Sequence, residues 1–102
     1  MSKRSGEPAP PNHDTRVDDL IATIANLKEP ALTKRFLRDL CTRTELEAMA
    51  QRWEVAQLVD LGVPYAQIAQ RTGASTATVT RVAQWLRHGE DGYVDVLKRS
   101  RS

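Results

Sequence analysis

After residue 15 the apolar residues recur at helical spacing, and each recurrence is soon cut short by proline, glycine or a capping residue. Val17, Leu20, Ile21, Ile24 and Leu27 stand at i, i+3, i+4, i+7 and beyond, which is the stripe of one helical face. A half-buried strand would need apolar and polar residues in alternation, and no stretch offers that. The pattern confines the chain to an all-α fold of about six short helices.

The spacing predicts a first helix over about 16–28. A second is opened by Pro30, whose missing N–H would lack a partner in the first turn anyway, and buries Leu32, Phe36, Leu37 and Leu40 before stopping near Cys41 or Thr42. Thr44 with Glu47 reads as a capping box starting a long third helix to about Leu61. Its apolar residues Leu46, Met49, Trp53, Val55, Leu58 and Val59 cover more than one stripe, so two surfaces must bury it and the second is expected on another subunit. In a chain of 102 residues, partnering of that kind would supplement a modest core.

Gly62 is expected to close the third helix and Pro64 to open a fourth, with Tyr65, Ile68 and Ala69 turned inward. After the break Thr72-Gly73-Ala74, Ser75 caps a fifth helix that buries Val79, Val82 and Leu86 and ends at Gly89. Trp85 is expected to pack under the C-terminal segment. There Tyr93, Val94 and Leu97 predict one short helix before a basic, frayed end. Residues 1–15 hold three prolines, a glycine and no apolar run, and read as a disordered tail ahead of a domain over 16–99.

Several classes of function are disfavoured. No run approaches the roughly 18 apolar residues of a bilayer span, and the N-terminus lacks a signal-peptide core, so a soluble cytoplasmic protein is expected. A single cysteine, Cys41, permits no internal disulfide, and His13 and His88 offer no metal-ligand spacing. Catalysis has no readable Ser/His/Asp set. Glu45 and Glu47 read as helix-start charges, and Ser75, with no base nearby, reads as a cap.

The net charge is only +2, but no Asp or Glu occurs between Asp60 and Glu90, while Arg71, Arg81 and Arg87 fall inside that window. Two short helices joined by a glycine turn, over about 64–87, have the layout of a helix-turn-helix, although a plain helical hairpin used as a protein adaptor has it too. The outward face of the second helix favours DNA. Thr76, Ala77, Thr80, Arg81 and Gln84 include no acid and are mostly short, which lets a helix sink into a major groove about 12 Å wide. The free N–H groups at the Ser75 end can hold a phosphate. A phosphate-binding P-loop is excluded, because Gly73 has no second glycine or lysine at the required spacing.

The segment from about Leu46 to Arg87, above all AQRWEV at 50–55 and GASTATVTRV at 73–82, resembles the Trp-repressor-like family and its YerC/YecD-type branch. The resemblance implies a bacterial DNA-binding transcriptional regulator, a repressor, associated with the nucleoid. It also implies an intertwined homodimer whose N-terminal helices interlace, so that two recognition helices meet successive major grooves of a near-palindromic site. The family's base-facing positions fall on Thr76, Ala77 and Thr80. The candidate DNA-contacting set is Ser75, Thr76, Ala77, Thr78, Thr80, Arg81 and Gln84, flanked by Arg71 and Arg87. Candidate dimer-interface residues are Leu20, Ile24, Phe36, Leu40, Met49 and Trp53.

Arg81 occupies the place of an arginine that helps hold the corepressor in Trp repressor. The second such arginine aligns with Trp53, and the neighbouring Arg52 is expected to point elsewhere, since adjacent helical residues diverge by about 100°. The departure argues against tryptophan as a ligand. No cofactor is implied, and another small effector stays open.

Overall fold

The computed structural model describes residues 13–101, so most of the expected tail lies outside the described residues. Six helices follow one another: α1 (His13–Ala25), α2 (Pro30–Leu40), α3 (Arg43–Asp60), α4 (Tyr65–Thr72), α5 (Thr76–His88) and α6 (Gly92–Arg101). No strand occurs among the described residues, as the apolar spacing requires.

Helix α1 begins before residue 16 and ends short of 28. At its end the Asn26 N–H is shared between the Ala22 and Thr23 carbonyls, both at 3.2 Å, a tightening common in a last helical turn. Pro30 then biases Glu29 away from helical dihedrals, which separates α1 from α2.

The expected capping box is displaced by two residues. Thr42 rather than Thr44 caps α3: its Oγ1 accepts from the Glu45 N–H at 3.0 Å, and its own N–H donates to Glu45 Oε1 at 2.7 Å. The stretch TRTELE contains two overlapping boxes. Using the first starts the helix earlier and leaves Glu47 to meet Arg43 at 4.0 Å on the exposed surface. At the other end Gly62, at φ 83°, lets its N–H reach the Val59 carbonyl and that of Val63 reach Leu58. This pair of bonds closes α3 as a Schellman motif.

The chain divides into two units, one up to Leu40 and one from Cys41. In the first, α2 has no buried residue, and Val17, Leu20, Ile21, Leu32 and Leu40 are exposed. The second has its own core, in which Val55, Ala56 and Leu58 of α3 meet Ile68 of α4, Ala74 of the turn, and Val79 and Val82 of α5. Helix α6 adds buried Leu97 and half-buried Tyr93, whose ring stacks on Trp53 with centroids 6.5 Å apart. Its end is not frayed as expected. The helix runs to Arg101, whose guanidinium donates to the Asp60 carboxylate at the end of α3.

Candidate nucleic-acid interface

Local bonding shapes the segment between α4 and α5. Gly73 caps α4 in the left-handed region at φ 79°, where a side chain would be strained, and its N–H donates to the Ala69 carbonyl at 2.9 Å. The Thr72 hydroxyl donates to the Ile68 carbonyl at 2.8 Å and accepts from the Ala74 N–H at 3.1 Å. Ser75 then caps α5, its oxygen accepting from the Thr78 N–H at 3.0 Å while its hydroxyl donates to Thr78 Oγ1. With Val79, Val82 and Ala83 fully packed inward, the orientation of the remaining face of α5 is fixed.

Thr76, Ala77, Thr80, Arg81 and Gln84 are exposed along that face, with Ser75 at its start and Arg71 and Arg87 also exposed. Thr78 differs from the rest of the candidate set. It is half-buried, and its hydroxyl is engaged by Ser75. Arg87 is not free either, because its Nη2 donates to the Tyr65 hydroxyl at 3.1 Å. Tyr65, expected inward, lies exposed at the start of α4, where its hydroxyl ties α4 to the last turn of α5.

Beside this face lies a concavity of about 600 Å³ between α3, α5 and α6. Trp53, Val82, Trp85, Tyr93 and Val96 give it largely apolar walls, and Arg52, Thr78, Arg81 and Glu90 give it polar ones. Two residues at this concavity stand where local spacing does not put them. Arg52, expected to diverge from the place of Trp53, borders the same concavity as Trp53 and Arg81. Trp85 is not covered by the C-terminal segment and keeps 55% of its surface exposed. Its indole sits over Gly89, where any Cβ would come within 2.9 Å of ring atom Cε3. Arg81, about 100° around the helix from Thr80, stands at the border between the outward face and the concavity.

Among the described residues no group of His, Cys, Asp and Glu could hold a metal ion, and no helix is long and apolar enough to cross a membrane. Three links had no signal in local spacing: Gln51 to the Thr72 carbonyl, Arg87 to Tyr65 and Arg101 to Asp60.

The family described as Trp repressor protein matches residues 15–101. The uncharacterized protein YerC of Bacillus subtilis (strain 168) is 43% identical over 83 residues, covering 81% of this chain and 80% of its own. The crystal structure of a TrpR like protein from Eubacterium eligens ATCC 27750 superposes with a TM-score of 0.81 at 40% identity, covering 84% of this chain and 89% of that one. A second crystal structure, from Staphylococcus aureus, gives a TM-score of 0.80 at 38% identity, covering 84% and 86%.

Proposed function

The chain belongs to the Trp repressor family, and from that premise we propose that it is a sequence-specific DNA-binding transcriptional regulator, a repressor, that reads the major groove as a homodimer. One observation carries the reading: the exposed face of α5 is free of acids and built from short side chains, in a stretch where Asp and Glu are absent from Leu61 to Gly89. An ordinary solvated helix has no reason to omit carboxylates, whereas approach to phosphates penalises them. Thr76, Ala77 and Thr80 are short enough to reach base edges and thymine methyls. Ser75, Arg71, Arg81, Arg87 and Gln84 surround them as positioning contacts. Dimerisation through Leu20, Ile24, Phe36, Leu40, Met49 and Trp53 would cover the apolar stripes of α1 and α2 and set two copies of α5 about one helical turn of DNA apart. Such a protein works in the cytoplasm at the nucleoid.

Selection of bound sites from random duplex, followed by titration at several salt concentrations, tests the reading. Each neutralised phosphate contributes about −0.9 to the slope of log K against log salt. No binding to any duplex at low salt would leave the protein-adaptor role in its place. On the best site, Thr80→Ala should cost about 1–3 kcal/mol, with little change on random DNA. Equal losses on both would assign Thr80 to positioning.

A second reading, regulation by a small effector, is favoured by Arg52 and Arg81 bordering one concavity with aromatic walls. An anionic or zwitterionic molecule with an apolar body suits that lining. Because Arg81 also borders the DNA-facing side, occupancy would alter its availability to DNA. Unchanged melting temperatures of wild type and Arg52→Ala across a panel of carboxylates would remove this reading.

A further inference from the structure

We propose that Gln51 is the positioning residue that ties the helix-turn-helix to the core helix and so sets where α5 enters the groove; this rests on the reading of α5 as the DNA-contacting helix. The bonds that shape the turn run within the helix-turn-helix itself: Gly73 to Ala69, Thr72 to Ile68, Ala74 to Thr72 and Thr78 to Ser75. They define the form of the turn but not its position relative to α3. Gln51 supplies that position from outside. Half-buried on α3, one turn before fully buried Val55, it donates from Nε2 to the carbonyl of Thr72, the last residue of α4, at 3.2 Å. Its amide lies against the turn, 3.9 Å from where a Cβ on Gly73 would stand.

The packing of Ile68, Val79 and Val82 with α3 fixes which face of α5 looks outward, but it is non-directional. A hydrogen bond into the turn adds a directional constraint. Contacts to base edges depend on that placement, whereas attraction to phosphates is long-range and forgiving. Loss of the Gln51 link therefore lowers discrimination between sites more than general affinity for DNA.

The test uses the intact chain with Gln51→Met, which keeps the length but not the donor, and Gln51→Lys, which keeps an N–H donor. Affinity is measured on the best selected duplex and on a scrambled one, across salt concentrations. The Met variant should lower the specific-to-nonspecific ratio about five- to tenfold, the worth of one part-buried hydrogen bond, with the salt slope unchanged. The Lys variant should restore most of the ratio. An unchanged ratio in the Met variant, or a loss that Lys leaves unrepaired, overturns the proposal. In the wild-type chain, NMR should show a through-bond coupling from the Gln51 side-chain amide to the Thr72 carbonyl, and its absence overturns the proposal whatever the variants do. A wild type with no preferred duplex but with that coupling would sink the DNA reading, and the positioning role with it, while upholding the link itself.

Discussion

Val55, Ala56, Ile68, Val79 and Ala83 in the unit from Cys41 onward are fully buried within one chain, whereas in α1 and α2 Ile21 keeps 57% of its surface exposed, Leu40 49% and Val17 44%. Both regions carry apolar residues at helical spacing, so the difference is not one of pattern. It lies in what each stripe can meet. Helix α3 is flanked by α4, α5 and α6, each contributing a buried residue, while α2 has none and Ile24, Leu27, Phe36 and Leu37 of the N-terminal unit are only half-buried. Exposed apolar surface on a small protein is costly in water, and the proposed dimer would cover it.

The largest effect is expected in the core of the second unit. Ile68→Ala removes a fully buried side chain held by α3 and α5, and should destabilise by about 2–5 kcal/mol through lost transfer energy and the cavity left behind. Urea unfolding would show the loss equally at every protein concentration. A loss below about 1 kcal/mol would mean that the second unit does not carry its own stability. Phe36→Ala, in α2, tests the opposite half and should cost about 1–3 kcal/mol, but in a form that depends on concentration. If Phe36 is buried between copies, apparent stability should rise by about 1.4 kcal/mol per tenfold in protein by mass action, and the variant should dissociate at a higher concentration than wild type. An unchanged dissociation concentration would place its packing inside the single chain.

Legibility in the sequence followed the range of the interaction. Gly73 in the left-handed region, Ser75 as a cap and the inward Val79 and Val82 depend on neighbours within one turn, and their residue types announce them. Gln51 meets Thr72 at a separation of 21 residues and Arg101 meets Asp60 at 41; nothing in local spacing encodes either. The place of Arg52 beside the concavity escapes local spacing for another reason. Angular divergence along α3 describes direction, but whether two adjacent residues share a concavity depends on its width, which only the packing of α5 and α6 determines. Tyr65 was assigned inward by periodicity, and the tie to Arg87, 22 residues away, was equally invisible.

The smallest expected effect falls where the two regions join. Cys41 begins the second unit and Thr42 caps its first helix, so this box decides where α3 starts. TRTELE could start the helix from either threonine, and the two choices make different energetic demands. Thr42→Ala removes the acceptor for the Glu45 N–H and should cost about 1 kcal/mol. Thr44→Ala lies inside the helix, and because alanine is the better helix former it should be neutral or slightly stabilising. The pair can be read by chemical denaturation at one protein concentration, since both sites belong to the second unit. If Thr44→Ala proved the costlier change, the helix would begin two residues later, and Arg43 with Thr44 would belong to the link between the units rather than to the core helix.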